Sequence, residues 1–121
     1  MKDHTLAPVE ARFADLIWEN APLSTAELVK LAAETLQWKR TTTYTVLKRL
    51  SEEGLFETEN RMVTVKISRQ EYEAMQSEQF VEDTFDGSLP AFLAAFGSRK
   101  KLSDREIDEI QALIDSMRMQ P

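Results

Sequence analysis

The chain has 121 residues, of which 42% are apolar and 30% are charged, with no cysteine and a single histidine. This composition is typical of a globular protein. It excludes disulfides, thiolate catalysis, cysteine-based metal sites, histidine-based triads and multi-histidine metal sites. No apolar run approaches the ~20 residues that cross a bilayer. We therefore expect a cytoplasmic protein without membrane insertion, cofactor, metal or enzymatic activity.

The net charge of −6 is unevenly distributed along the chain. Residues 1–70 hold 10 basic and 10 acidic residues, whereas residues 71–121 hold 5 basic and 11 acidic residues. No acidic residue lies from Thr35 to Ser51, but basic residues stand at positions 39, 40, 48 and 49. A locally basic window in a neutral half is typical of a small element that contacts nucleic-acid phosphates.

Two helices are predicted in the first part of the chain. The first runs from Pro8 to Asn20, because proline suits the first helical position and the apolar residues that follow recur at helical spacing. A turn is predicted at Pro22-Leu23. The second helix begins at Ser24, which has capping-box spacing with Glu27, and it ends near Leu36.

A third helix is predicted from Arg40 to Glu53, and Gly54 ends it in the usual position after a helix. One of its faces is apolar, and the opposite face is polar without any acidic residue. Hydroxyl and amine groups of this kind reach base edges and phosphates, whereas an ordinary solvated helix face mixes glutamate with lysine. The residues of the polar face are Thr41, Tyr44, Thr45 and Lys48.

A β-hairpin is predicted next, from Leu55–Glu59 and Met62–Ser68, because apolar and polar residues alternate in the second run. Asn60-Arg61 can form the tight turn between the two strands, which places Arg61 at the tip. Three helices followed by a hairpin predict a winged helix-turn-helix over residues 1–69, with its third helix in the DNA major groove. A winged domain that makes only protein contacts is the alternative.

Residues 70–121 have a purely helical pattern. A helix is predicted from Gln70 to Phe85, a short helix begins after Ser88, Gly97–Lys101 forms a loop, and a last helix runs from Ser103 to about Met119. These helices have wide apolar stripes that include Phe80, Phe85, Leu89, Phe92, Leu93, Phe96, Ile107, Ile110 and Ile114.

So short a segment with such wide apolar stripes cannot form a core alone. A second copy of the chain is the simplest partner, because DNA-binding proteins of this kind commonly match a palindromic site with a two-fold axis. Helices that fold back on the winged domain of a monomer are one alternative, and a ligand pocket between the aromatic helices is another. The predicted fold class is mainly α with a small β-hairpin: a winged helix-turn-helix followed by a helical dimerisation segment over residues 70–121.

Several segments of the chain stand in a specific order and spacing: Phe13-Ala-Asp-Leu-Ile-Trp18, Arg40-Thr-Thr-Thr-Tyr-Thr-Val-Leu-Lys-Arg-Leu50, Glu53-Gly-Leu55, Phe85-Asp-Gly-Ser-Leu89 and Leu102-Ser103 with Glu106. Together they resemble the penicillinase-repressor (BlaI/MecI/CopY-type) family of winged-helix transcription repressors over nearly the whole chain. The resemblance implies a homodimer that binds double-stranded DNA at a promoter palindrome. It implies base readout by Thr41, Thr42, Tyr44 and Thr45, and contacts with the DNA backbone by Arg40, Lys48, Arg49 and Arg61.

The resemblance also implies how the DNA is released. Some members of the family are cut in the C-terminal region after a membrane sensor protease detects a β-lactam, and the matching residues here are Ala95 and Phe96. Other members respond to copper through a cysteine cluster, which this chain lacks. The chain departs from the family at Lys39, where a helix-capping hydroxyl is usual, and in the second strand of the wing. Regulation by a small molecule is the alternative.

Overall fold

The computed structural model describes residues 6–120, so His4 lies outside the described range. Within that range, six helices and three short strands follow one another. They are α1 (Pro8–Asn20), β1 (Leu23–Ser24), α2 (Thr25–Leu36), α3 (Arg40–Glu52), β2 (Phe56–Glu59), β3 (Met62–Val65), α4 (Arg69–Phe85), α5 (Leu89–Arg99) and α6 (Asp104–Arg118). The prediction of a mainly α protein with a small β-part is confirmed.

The hydrophobic core lies among α1, α2, α3 and the strands. Phe13 on α1, Leu28 on α2 and Leu50 on α3 are fully buried, because each lies on the inward side of an amphipathic helix. Phe56 and Val63 complete the core from β2 and β3. Burial of one such side chain stabilises the fold by ~1.5–3 kcal/mol. One face of α3 is therefore buried in the core, and the opposite face lies on the surface.

The wing has three strands and not the two that the sequence predicts. The strand order is β1-β3-β2, with both pairings antiparallel. Leu23 pairs with Val63, so the residues predicted as a turn at Pro22-Leu23 include the start of a strand. Two residues are too short a strand to show a period of two, and their partner lies some 40 positions away in the chain. Only the tertiary fold reveals β1.

The hairpin turn is formed as predicted, but the second strand is shorter than expected. Asn60 and Arg61 have φ angles of 53° and 63°, the left-handed pair that a tight two-residue turn requires. The strand β3 ends at Val65 instead of Ser68. The backbone N–H groups of Lys66 and Ile67 both donate to the carbonyl oxygen of Leu55, at 2.9 and 3.1 Å. Two residues thus stand opposite one, which interrupts the regular ladder where β3 ends.

Both predicted capping boxes are present. The hydroxyl of Ser24 accepts from the backbone N–H of Glu27, and the Glu27 carboxylate accepts from the backbone N–H of Ser24, each at 3.1 Å. The bond from the Ser24 backbone N–H, followed by the Ser24 side chain, lowers the pKa of Glu27. Ser103 and Glu106 make the same exchange at the start of α6. Each box satisfies backbone donors that a helix start leaves unpaired.

The first turns of α4 are held against α1. Arg69 donates to Asp15 at 3.0 Å and to Glu19 at 3.3 Å, and its guanidinium lies 5.6 Å from the centre of a Trp18 ring. The indole N–H of Trp18 donates to the carbonyl oxygen of Ile67 at 3.0 Å. These contacts make the start of α4 a part of the N-terminal half of the protein.

The chain divides into two compact units, one up to Glu78 and the other from Gln79 onward. In the second unit, α5 continues to Arg99, so the prediction of a loop beginning at Gly97 is wrong. A glycine costs a helix only about 1 kcal/mol, and the helical hydrogen bonding carries on until the backbone N–H of Lys100 donates to Phe96. The assignment of residues 70–121 to dimerisation stays a prediction.

No residue from 79 to 120 is buried within the single chain. Four phenylalanines of this unit form an aromatic cluster, in which Phe92 lies 6.0 Å from Phe80, 5.7 Å from Phe85 and 6.1 Å from Phe96, measured between ring centres. These spacings are those of favourable aromatic pairs. No helix in the described part of the chain has both the length and the apolar character needed to cross a membrane.

Candidate nucleic-acid interface

The outward face of α3 is polar and exposed, and it carries no acidic residue before Glu52 in the last position of the helix. Thr43, Leu47 and Leu50 are buried on the inward face and orient the helix. The predicted base-reading and phosphate-contacting residues of this helix therefore share the surface side, and every one of them is exposed: Arg40, Thr41, Thr42, Tyr44, Thr45, Lys48 and Arg49. The arrangement presents hydroxyl and cationic groups together, as a helix that enters a DNA groove does.

The hydroxyl of Thr45 is turned back toward its own helix. Its O–H donates to the carbonyl oxygen of Thr41 at 2.9 Å, so its hydrogen is engaged while its lone pairs can still accept a hydrogen bond. The side chain thus offers an acceptor and a methyl group. An acceptor fits the exocyclic amino group of adenine or cytosine in the major groove, and a methyl fits the thymine methyl.

The N-terminus of α3 is electropositive. The cap residue Lys39 makes no side-chain hydrogen bond to the helix, and the first turn holds no acidic residue. Free N–H groups at a helix start attract anions, and the side chains of Lys39 and Arg40 add two positive charges. Lys39 thus stands in place of a capping hydroxyl, and its charge strengthens the positive field at the N-terminus of α3.

Tyr44 lies beside Arg40 on α3 and lines a cleft that it shares with Thr58 of β2. Its ring lies under the guanidinium of Arg40, which is 5.6 Å from the ring centre. The pKa of Tyr44 is lowered, chiefly by the polar side chain of Thr25. Arg40 and the charge of Arg61 lower this pKa further, whereas desolvation of the phenol raises it. The phenol thus lies close to one cation on α3 and within the electrostatic influence of a second cation on the wing.

The tip of the wing is tied to the start of α2. The backbone N–H of Thr25 donates to the carbonyl oxygen of Arg61 at 2.9 Å. Thr25 is buried, with 9% of its surface exposed. This hydrogen bond joins the backbone of the wing tip to the first residue of α2. Arg61 therefore extends from a turn whose backbone is held by the rest of the domain.

A cleft of about 300 Å³ lies beside this junction. Sequence reasoning missed three of its hydroxyl residues, Thr25, Ser51 and Thr58. Ser51 follows Lys48 by three positions and could have been found from the helical period of α3. The other two reach the cleft only through the tertiary fold. The full set that lines the cleft is Thr25, Tyr44, Leu47, Lys48, Ser51 and Thr58.

Arg49 differs from the other predicted phosphate contacts, because it is paired within the protein. Its guanidinium forms an ion pair and a hydrogen bond with Glu10 of α1, and Glu10 also accepts from the backbone N–H of Ala7 at 3.0 Å. Arg40, Lys48 and Arg61 make no ion pair with any carboxylate among residues 6–120. In the free protein, three of the four predicted phosphate contacts thus have available charges.

The predicted dimerisation residues form the surface of the second unit. Five of them are at least 42% exposed: Phe80, Leu89, Phe96, Ile107 and Ile114. The other four are half-buried: Phe85, Phe92, Leu93 and Ile110. The predicted cleavage residues, Ala95 and Phe96, are both exposed on α5.

Comparison with known proteins gives two matches that span nearly the whole chain. The model of a family described as penicillinase repressor matches residues 6–116. A protein described as a penicillinase repressor, from Bacillus licheniformis, is 25% identical over 114 residues, which cover 91% of this chain and 89% of that protein. The matched span includes α3, the wing, α4, α5 and all but the last two residues of α6.

Proposed function

Because the chain belongs to the penicillinase repressor family, whose members are DNA-binding transcription repressors and not enzymes, we propose that it represses transcription as a homodimer bound to a promoter palindrome. The observation that carries the proposal is the outward face of α3, which holds no acidic residue before Glu52 and is flanked by Arg40, Lys48 and Arg61, cations without a carboxylate partner among residues 6–120. Cations in this state can replace the counterions of DNA phosphates without first breaking an internal ion pair.

The residues of this face divide by the groups that they offer. Thr41, Thr42 and Thr45 present short hydroxyl side chains on α3 and are proposed to contact base edges, which is where sequence is read. The three unpaired cations are proposed to contact phosphates on either side of the groove. Phosphate contacts set the register of the protein on the duplex but do not select the sequence.

The second unit supports the proposal of a homodimer. Residues 79–120 have no buried side chain in a single chain, although their helices carry long apolar stripes. Exposed apolar surface on this scale marks an interaction site. A second copy of the chain covers it with the same stripes, and a two-fold axis presents two α3 helices to two half-sites.

DNA binding is tested by selecting from a random duplex pool with the purified protein and titrating the selected site at several salt concentrations. We expect Lys48→Ala to lower the slope of log affinity against log salt by about one unit, because one phosphate contact is lost. Lys100→Ala removes the same charge from the second unit and is expected to leave the slope unchanged. A protein without preference for any duplex would contradict the proposed function.

Base readout is tested by replacing Thr45 with alanine. The variant is expected to relax base preference at one position of each half-site, at a cost of ~1–3 kcal/mol for the preferred base. The measurement is a competition titration against the selected site and its single-base variants. An equal loss of affinity for all of these duplexes would remove Thr45 from the reading face.

The homodimer is tested by sedimentation equilibrium of the full chain. Ile114 is 42% exposed in one chain, so Ile114→Lys leaves the fold of the monomer intact but places a charge in an apolar interface. We expect a dimer for the wild type and a monomer for the variant. A wild-type monomer at all concentrations would refute the assembly.

Release by proteolysis extends the proposal to a membrane sensor protease as a partner. Cleavage between Ala95 and Phe96 would detach α6, and with it Ile107, Ile110 and Ile114, from the rest of the chain. The test is a variant with an engineered protease site at this point. Cutting it is expected to dissociate the dimer and lower the DNA affinity; a cut protein that binds DNA with unchanged affinity would argue against this release mechanism.

A further inference from the structure

The wing has two faces that carry different side chains. Phe56 on β2 is buried in the core, and Thr58 on the same strand lines the cleft beside Lys48 of α3. Because side chains alternate along a strand, Glu57 and Glu59 point to the opposite side. The wing thus turns an uncharged face toward α3 and the core, and it carries two carboxylates on the face that points away from them.

The strand pairing defines this outer face of the wing, which consists of Glu57, Glu59, Met62 and Thr64. Glu57 pairs with Thr64 and Glu59 pairs with Met62, and residues that pair directly across an antiparallel sheet lie on the same face. All four residues are exposed. Neither glutamate forms an ion pair with a basic residue among residues 6–120. The outer face therefore keeps two negative charges in the free protein.

These two charges lie close to the cation at the wing tip. Glu59 comes two positions before Arg61, and two residues span at most about 7 Å of chain. The screening length at physiological salt is about 8 Å. A phosphate that Arg61 attracts therefore also enters the field of Glu59, and a phosphate that lies along the outer face is repelled by both glutamates.

We propose that Glu57 and Glu59 are specificity-determining residues, which repel DNA phosphates from the outer face of the wing and so weaken sequence-independent binding more than binding to the selected site. The wing then meets the duplex at its tip alone. This inference rests on the proposed function and adds two residues that the sequence analysis did not assign to the site.

The physical reason is the difference between the two kinds of complex. Sequence-independent binding depends on phosphate contacts alone, so it includes orientations of the protein in which the outer face approaches the duplex. In the specific complex, base contacts from α3 fix the orientation, and the outer face of the wing points away from α3. Repulsion by Glu57 and Glu59 thus acts mainly on the complexes that do not read the sequence.

The test compares the double variant Glu57→Gln/Glu59→Gln with the wild type in the full-length protein. Dissociation constants are measured on the selected duplex and on a scrambled duplex of the same length and composition, at several salt concentrations. We expect affinity for the scrambled duplex to rise about two- to tenfold, the size of two exposed charge interactions, and affinity for the selected duplex to rise by a smaller factor. The difference is expected to shrink as salt rises, because exposed charges are screened.

Single variants locate the effect on the wing. Glu59→Gln is expected to raise affinity for the scrambled duplex more than Glu57→Gln does, because Glu59 is nearer to the tip. Glu59→Lys is expected to raise it further and to steepen the salt slope on the scrambled duplex by about one unit, because the lysine adds one phosphate contact. Urea unfolding checks that these exposed substitutions leave the stability of the fold unchanged.

Glu73→Gln/Glu78→Gln is the matched control. It makes the same change of net charge at two exposed positions of α4, and it is expected to leave the ratio of the two affinities unchanged. If the wing variant raises both affinities by the same factor, or leaves both as they are, while the wild type still prefers the selected duplex, the inference is overturned and the proposed function stands. A wild type without preference for the selected duplex would overturn the proposed function itself.

Discussion

Residues 6–78 and residues 79–120 are built from the same kind of amphipathic helix, yet only the first region buries any side chain. Every buried residue of the described chain lies between Phe13 and Val63. The second region has an aromatic cluster around Phe92, but Leu89 and Ile107 are still about half exposed, at 57% and 48%. An apolar stripe alone is therefore no guarantee of a core.

The difference lies in how many surfaces each region can bring together. In the first region, three helices and a sheet converge, so each apolar stripe meets several others. In the second region, two helices and the end of α4 leave much of each stripe without a partner. Small assemblies of this kind bury too little surface to be stable alone. The first region supplies its own core, whereas the second leaves its apolar side chains partly or fully exposed within one chain.

The largest expected effect is at a core phenylalanine. Phe56 is 1% exposed, and Phe56→Ala is expected to lower the free energy of unfolding by about 3–5 kcal/mol. Phe80 is 50% exposed and lies in the second region. Phe80→Ala is therefore expected to change the free energy of unfolding of the first region by less than about 0.5 kcal/mol, while weakening the dimer. Trp18 and Trp38 both lie in the first region, so urea unfolding followed by tryptophan fluorescence reports that region. Equal losses of unfolding free energy for Phe56→Ala and Phe80→Ala would contradict the difference between the two regions.

The two capping boxes provide a matched pair of smaller changes. Ser24→Ala is expected to lower the free energy of unfolding of the first region by ~1 kcal/mol, because the backbone N–H of Glu27 loses its acceptor. Ser103→Ala makes the same change at α6. It is expected to raise the dissociation constant of the dimer in sedimentation experiments while the tryptophan-detected transition stays in place. A shift of that transition by Ser103→Ala would mean that the two regions unfold together.

Replacing Arg49 measures how much a basic residue of α3 stabilises the fold through its ion pair with Glu10. Arg49→Gln removes the ion pair with Glu10, and because the side chain of Arg49 is 45% exposed, we expect a loss of only ~0.2–1 kcal/mol in unfolding free energy. The salt slope of DNA binding is expected to stay constant. A slope lowered by one unit would instead restore Arg49 to the phosphate-contacting residues.

The smallest expected effect is the pH dependence contributed by Glu27. Its pKa in the folded protein is lower than the ordinary value of 4.5, so its stabilisation is complete above that value and is lost as the pH falls through the lowered pKa. Glu27→Gln is expected to flatten this acid-side decline of stability. The check is the unfolding midpoint in urea across the acidic range. An unchanged profile would show that the Ser24 bond does not favour the carboxylate.

Local signals in the sequence were enough to place the helices and the hairpin turn. The capping boxes at Ser24 and Ser103, the proline at position 8 and the glycine at position 54 all act within a few residues, so their effect can be read from neighbours in the chain. The predicted loop at Gly97 was wrong for the same reason: glycine weakens a helix locally, but continued hydrogen bonding outweighs that cost here.

The candidate site was only partly visible in the sequence. The polar face of α3 follows from a period of 3.6 residues, which places Thr41, Thr45 and Lys48 together. The ion pair of Arg49 with Glu10 joins residues 39 positions apart, and no periodicity predicts it. Thr25 likewise enters the site because the wing turns back onto α2.

The sequence by itself determined which segments are helical, where they start, which side of each is apolar and where the charge is concentrated, because these depend on interactions between near neighbours. The tertiary structure alone decided that Leu23 joins the sheet, that Thr25 lines the same cleft as Tyr44 and donates its backbone N–H to Arg61 at the wing tip, and that residues 79–120 bury nothing within one chain. Those outcomes depend on contacts between distant segments, and their stability comes from surface buried on both partners at once.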